Sequence, residues 1–234
     1  MKQFLYKIKN KIFNLLKLVL KNSLLGKKPE NMVFIRPDYY IINKLTSNSL
    51  IFDIGTGNDA NFSQDLIKHF GLKSYGFDPT RKHYEALKQV EKESQKKFTI
   101  FNYALSDKSG EAEFNESSSN ISGSFFCDHI NIKNDNIKKY VVKIISLQDI
   151  FSKLAITKVD LVKIDVEGEE YKIIDSLTKN LTEKIDQFVF EFHHHCIDKY
   201  SILDNLKAIK KMGSLGFYFY SNDGINYLFY KNND

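Results

Sequence analysis

Short apolar runs alternate with amphipathic stretches along most of this chain from Leu50 onward. Leu50 to Ile54, Lys73 to Phe77, Phe98 to Tyr103, Tyr140 to Ile145, Val159 to Ile164 and Ile185 to Phe192 each read as a strand rich in β-branched and aromatic residues. Between them, apolar residues recur at three- and four-residue steps over Ala60 to Phe70, Arg81 to Glu93, Leu147 to Leu154, Glu167 to Leu177 and Ser201 to Met212. That is the period of a helix with one buried face. Gly216 to Tyr220 and Ile225 to Tyr230, joined through Asn222-Asp223-Gly224, predict a closing hairpin. Strands and helices taken in turn predict a doubly wound, Rossmann-like α/β sheet. Three segments stand outside the alternation. Ile35 to Leu45 reads as a short helix capping the ligand side of the sheet. Ser106 to Gly110 is a polar turn, with a hairpin extension over Glu111 to Asn115. Asn115 to Asn136 is rich in Ser and Asn and aperiodic, which fits either a lid or substrate loop or a plain surface excursion.

The N-terminus has a different pattern. Phe4, Leu5, Ile8, Ile12, Leu15, Leu16, Val19 and Leu20 fall at helical spacing with lysines between them, and Gly26 and Pro29 end the run. A basic amphipathic helix over residues 2–25 fits two settings. It can lie on an anionic membrane surface, or it can pack on the body of the protein or on a second subunit of a homo-oligomer. Charge sharpens the division. The chain holds 34 basic and 29 acidic residues, but eight lysines and no acid fall in residues 1–28, leaving 26 basic against 29 acidic residues beyond. The expected organisation is therefore a basic appendage over 1–28 and one domain over 29–234. The slightly acidic body argues against a nucleic-acid groove. Cys127 and Cys196 are the only cysteines, without metal-finger spacing, as expected of unpaired thiols in a reducing cytoplasm. Lysines interrupt every apolar run, so neither a secretory leader nor a membrane span is expected.

The chemistry gathers at predicted strand ends, where open α/β sheets bind ligands. Asp53-Ile54-Gly55-Thr56-Gly57-Asn58 runs from a strand into a glycine turn, and Asp78 ends the next strand about twenty residues on. Glycines give the backbone room to approach a nucleoside, and the acid accepts hydrogen bonds from ribose hydroxyls. Asp53, Gly55, Gly57, Asn58 and Asp78 are thus the cofactor-binding candidates. The pair serves NAD or S-adenosylmethionine (SAM) alike. Lys163-Ile164-Asp165-Val166-Glu167-Gly168-Glu169-Glu170 tilts the choice towards SAM, because a nicotinamide enzyme has no need of an acid cluster there. Glu191-Phe192-His193-His194-His195 is the second constellation. With Asp165 expected on the neighbouring strand, Asp165, Glu191 and His193 are candidate ligands of a divalent metal (Fe2+, Mn2+ or Mg2+). The alternative without metal makes Asp165, His193 and His194 the catalytic set, with a histidine as general base.

Asp53-Ile54-Gly55, Phe77-Asp78-Pro79, the Lys163–Glu170 run and Glu191-Phe192-His193 occur in the order seen in FkbM methyltransferases, and the chain resembles that family over about residues 49–230. The resemblance implies a seven-stranded sheet with an antiparallel last strand. It implies a SAM-dependent O-methyltransferase acting on a hydroxyl of a small molecule. The acceptor expected is a bacterial surface-glycan sugar, of a capsule or lipooligosaccharide, or its nucleotide-activated precursor. A NAD-dependent sugar oxidoreductase and a non-catalytic scaffold of the same fold are the competing readings.

Overall fold

A computed structural model of the chain describes residues 23–36 and 38–231. The amphipathic segment 2–25 and the appendage 1–28 therefore lie largely outside the described residues.

The element order is β1 (Met32–Ile35), β2 (Tyr39–Ile42), β3 (Leu50–Ile54), α1 (Asn61–Phe70), β4 (Lys73–Phe77), α2 (Arg81–Glu93), β5 (Phe98–Phe101), β6 (Ala104–Ser106), β7 (Gly110–Ser117), β8 (Gly123–Ser124), β9 (Ile137–Ser146), α3 (Leu147–Lys153), β10 (Val159–Ile164), α4 (Glu170–Ser176), α5 (Lys179–Thr182), β11 (Ile185–Glu191), α6 (Ile202–Ser214), β12 (Tyr218–Tyr220) and β13 (Asn226–Tyr230). Seven strands form the main sheet in the order β12-β13-β11-β10-β3-β4-β5. The five from β11 to β5 are parallel, and β13 runs antiparallel to both its neighbours. This is the doubly wound, Rossmann-like sheet expected, and its antiparallel strand, β13, is the last in the chain. The central strands are apolar along their whole length because helices cover both faces. Phe52, Ile54, Val162, Ile164, Phe188 and Phe190 sit in one core layer, and Ile51, Leu161 and Val189 in the other.

The chain leaves β3 towards one side and β10 towards the other, so the two form the switch point at which such sheets bind ligands. Their register pairs Lys163 with Asp53 and Ile164 with Ile54. The β10–β11 register pairs Ile164 with Phe190, which carries Asp165 alongside Glu191.

Two segments depart from expectation. Ile35 to Leu45 is a hairpin, β1–β2, not a helix. Pro37 stands in mid-segment, where a helix would lose a hydrogen bond, and Tyr39-Tyr40-Ile41-Ile42 is a strand-favouring run. The hairpin packs against β11 and β13. The strand begun at Phe98 stops at Phe101, and Ala104–Ser106 pairs instead with β9 in a second sheet of order β6-β9-β7-β8. The hairpin extension expected near Glu111 is the core of this second sheet. Segment 118–136 is a hydrogen-bonded wall beside it: Asp135 accepts from Ser117 and Ser119, and Asn120 donates to Asn131.

Candidate active site

The glycine turn is shaped by close packing at the switch point. Gly55 has φ 74°, and a Cβ there would overlap the carbonyl oxygen of Asp165. Only glycine lets β3 and β10 end side by side. Gly57 has φ 73°, and a Cβ there would enter open space. Both line a cleft of about 630 Å3 over the strand ends. Phe77, Pro79, Tyr103 and Leu105 make its apolar wall, Asp78 and Asp165 supply carboxylates, and Phe114 and Phe125 close it from the second sheet.

Asp78 ties this cleft together. One carboxylate oxygen accepts from the Gly57 backbone N–H at 2.9 Å and the other from Thr80 N–H at 2.8 Å. The Thr80 oxygen also faces His83 Nδ1 at 3.4 Å, so the oxygen bonded to Gly57 is the one that keeps a lone pair for a ligand. Asp53 and Asn58 do not line the cleft. Asp53 is wholly buried beneath α1, where Ser63 donates to it at 2.6 Å and Lys163 Nζ lies 3.5 Å away. Burial pushes its pKa up, against the pull of Lys163. Its place is under the turn, as a support. Asn58 is exposed on the turn.

On the other side of the switch point, acids crowd together. Lys163 is buried and reaches past β10 to donate to the Gly55 carbonyl at 2.6 Å, with its Nζ 3.2 Å from Asp165 Oδ2. Burial pulls its pKa down, but Asp165 and Asp53 outweigh this and hold it at about 12. The Tyr39 hydroxyl, from β2, lies 3.0 Å from Glu191 Oε2 and 3.2 Å from Asp165 Oδ2. The other oxygens of both acids face His193 Nε2, at 3.6 Å from Asp165 Oδ1 and 3.8 Å from Glu191 Oε1. Burial and the Asp165 charge push Glu191 up to about 7.

Sequence reasoning places the start of α4 three residues early, and the reason is chemical. Glu167 has φ 54° and Gly168 φ 117°, so the chain loops before the helix begins. Glu170, fully buried, turns its carboxylate back to accept from Val166 N–H at 3.1 Å and from Gly168 N–H. The same carboxylate receives His193 Nδ1–H at 2.9 Å. This fixes the tautomer: His193 presents Nε2 to Asp165 and Glu191. Burial alone would lower its pKa, but Glu170, Glu167 and Asp165 raise it well above the usual histidine value.

Among the described residues, two groups bring three ligand atoms within 4.8 Å of one another: Asp165, Glu191 and His193, and also His129, Glu167 and His193. Hydrogen bonding separates them. His129 Nδ1 accepts from the Asn131 backbone N–H at 3.2 Å, so its proton sits on Nε2, 2.7 Å from Glu167 Oε2. A protonated nitrogen is not a ligand. In the first group the Glu170 bond puts the neutral ring's proton on Nδ1, so His193 Nε2, which also lies 3.4 Å from Glu167 Oε2, keeps a lone pair, and both carboxylates offer an oxygen. That donor set fits a divalent cation.

His194 departs from the expected role. β11 ends at Glu191 and residues 194–196 form a turn, so the His194 ring faces α6, 3.1 Å from Asn205 Nδ2 and away from the cleft. His195 is exposed. Sequence reasoning missed Tyr39 and His129. Tyr39 lay in a segment read as a helix. His129 lay in a polar loop with no periodicity to orient it.

The family model described as the methyltransferase FkbM domain matches residues 20–214. The chain belongs to the FkbM methyltransferase family. The NAD reading is thereby set aside, and the cofactor of this FkbM methyltransferase is SAM. The chain is also similar to several solved structures. Fibrillarin from Methanococcus jannaschii is 12% identical, covering 89% of this chain and 86% of that one, with a TM-score of 0.48. Precorrin-6y C5,15-methyltransferase from Geobacter metallireducens is 12% identical over 81% and 83%, TM-score 0.44. M. capricolum TrmK, solved with S-adenosyl-homocysteine, is 19% identical over 81% and 65%, TM-score 0.39. No curated protein matches the sequence. The glycine turn, the ribose-type acid and the apolar wall fit SAM. Among the described residues no helix is long and apolar enough to cross a membrane.

Proposed function

We propose that this FkbM methyltransferase moves a methyl group to a hydroxyl oxygen of a sugar, with a divalent metal held by Asp165, Glu191 and His193. SAM, when bound, supplies the electrophilic methyl and the thioether leaving group. Asp78 holds the ribose and the glycine turn accommodates the methionine part. The acceptor oxygen forms the new O–C bond as the S–C bond breaks, and its proton must leave. A divalent metal held by Asp165, Glu191 and His193 would lower the pKa of such a hydroxyl. Glu191 would serve there as a metal ligand and not as the base, and the acceptor's proton leaves to solvent.

The observation that carries the reading is the orientation of the three candidate ligands. Asp165 Oδ1, Glu191 Oε1 and His193 Nε2 face one another, while Lys163, Tyr39 and Glu170 hold their far sides. Such supporting partners are the rule around metal ligands. The local charge agrees: Asp53, Asp165, Glu167, Glu170 and Glu191 outnumber Lys163 and His193, and a cation relieves the repulsion. The sugar rests on the family resemblance, and the carboxylate-lined wall suits a polyol. A capsule or lipooligosaccharide sugar, or its nucleotide-activated precursor, made in the cytoplasm, is the acceptor proposed. The test is chelation. EDTA is expected to abolish methyl transfer to a sugar acceptor while leaving SAM affinity intact, and Asp165→Asn or Glu191→Gln to lose both metal and activity. Full turnover in a metal-free preparation would discard the metal.

A further inference from the structure

We propose that Tyr39 is the positioning residue of this metal site, holding both carboxylate ligands in their binding orientation from the N-terminal hairpin. The inference rests on the metal reading above.

Asp165 and Glu191 end adjacent parallel strands, where two carboxylates at close range repel. Among the described residues Tyr39 is the side chain within hydrogen-bond distance of both, its hydroxyl 3.2 Å from Asp165 Oδ2 and 3.0 Å from Glu191 Oε2. A phenol has one proton, so it donates to one acid at a time while standing between the two. The consequence is directional. With Oδ2 and Oε2 engaged by Tyr39, the remaining oxygens Oδ1 and Oε1 are the ones turned to His193 Nε2. Lys163 also engages Asp165 Oδ2 but lies on the same strand and does not bond to Glu191.

The hydroxyl is placed by a rigid support. Tyr39 is 2% exposed, and its ring meets Phe62 edge-on at 5.3 Å. The hairpin is fixed to β11 by a two-bond clamp. Ile42 N–H donates to Gln187 Oε1 at 2.8 Å, and Gln187 Nε2 donates to the Ile42 carbonyl at 3.3 Å. Gln187 and Glu191 share β11, so the clamp sets the height of Tyr39 relative to Glu191. A buried phenol at this position burdens folding with a hydroxyl whose partners, among the described residues, are the two acids. Phenylalanine would fill the same space.

The test uses the full-length chain and Mn2+ as the probe, read by electron paramagnetic resonance and calorimetry. Tyr39→Phe is expected to weaken Mn2+ binding 10–100-fold, the loss typical of a supporting partner. SAM affinity should stay within about twofold, since the cofactor contacts lie across the switch point. Excess Mn2+ should restore most of the rate. Gln187→Ala, which releases the hairpin and touches no ligand, should weaken Mn2+ in the same direction by a smaller factor; it stands in if Tyr39→Phe does not fold. Unchanged Mn2+ affinity in the variants overturns the role of Tyr39 and leaves the metal reading standing. A wild-type protein that binds no Mn2+ overturns both. Equal losses of Mn2+ and SAM affinity would mark Tyr39 as a general packing residue and also overturn the proposal.

Discussion

At the residue scale, protons and the metal compete for the same atoms. Without a cation, Glu191 titrates near 7, above its ordinary value near 4.5, because burial and Asp165 disfavour its charge against the pull of His193, Tyr39 and Lys163. His193 is raised among Glu170, Glu167 and Asp165, with His129 beside it. The raised Glu191 means that the folded chain binds a proton the unfolded chain releases between about 4.5 and 7, so stability falls as pH rises through that window. The raised His193 acts in the same direction: its contribution is complete below about 6.5 and is lost as pH climbs through the folded value. Glu167, lowered by His129 and His193 despite its burial, contributes in the opposite sense, but its loss comes only on strong acidification. In EDTA the melting temperature is therefore expected to fall between pH 6 and pH 8. Mn2+ takes the place of those protons, so its affinity should rise over the same range and its binding should release protons. Melting scans with EDTA and with Mn2+ check this. A chelated protein with a flat profile would mean that Glu191 and His193 titrate normally.

At the element scale, the sequence was legible wherever burial imposed a period. β3, β4, α2 and β10 have the bounds their apolar patterns predict, because strands covered on both faces and helices with one buried face leave strong signals. The Asp165–Glu191 juxtaposition was legible too, as a consequence of parallel register. What was hidden depended on side chains reaching across the sequence. Glu170 capping its own preceding loop delays α4, and His194 turning to Asn205 removes it from the cleft. Tyr39 arrives from a hairpin whose proline was the clue to its strands. Gly55 offers the sharpest test at this scale. Its left-handed backbone alone would cost a non-glycine residue on the order of 1–3 kcal/mol. A Cβ must also displace the Asp165 carbonyl, so Gly55→Ala should push β3 from β10. The expected result is a large fall in melting temperature and loss of both SAM and Mn2+ binding, since the two half-sites meet at that contact. A Gly55→Ala protein with wild-type stability would show that the strand ends are more loosely packed than described.

At the scale of the whole molecule, two half-sites share one sheet. The β3–β4 side carries the glycine turn, Asp78 and the apolar wall. The β10–β11 side carries the acids and His193. Lys163 joins them, bonded to the Gly55 carbonyl on one side and to Asp165 on the other. This division predicts which ligand should stabilise the fold and through which residues. SAM at a hundredfold excess over its dissociation constant adds about 2.7 kcal/mol. For a domain of this size that is roughly 5–10 °C in melting temperature. NAD at the same concentration should leave the melting temperature unmoved, because the chain belongs to a methyltransferase family whose cofactor is SAM. Asp78→Ala should remove most of the SAM shift, since hydrogen bonds to a charged acceptor are worth about 1.5–3 kcal/mol each. It also frees the Gly57 N–H that Asp78 now holds, which loosens the turn as well. Asp165→Asn should keep most of the shift, because the Asp165 carboxylate, though it borders the cleft, is engaged by Tyr39, Lys163 and His193. A SAM shift that survives Asp78→Ala but vanishes in Asp165→Asn would reverse the assignment, placing the nucleoside over β10 and β11 and the acceptor over the glycine turn.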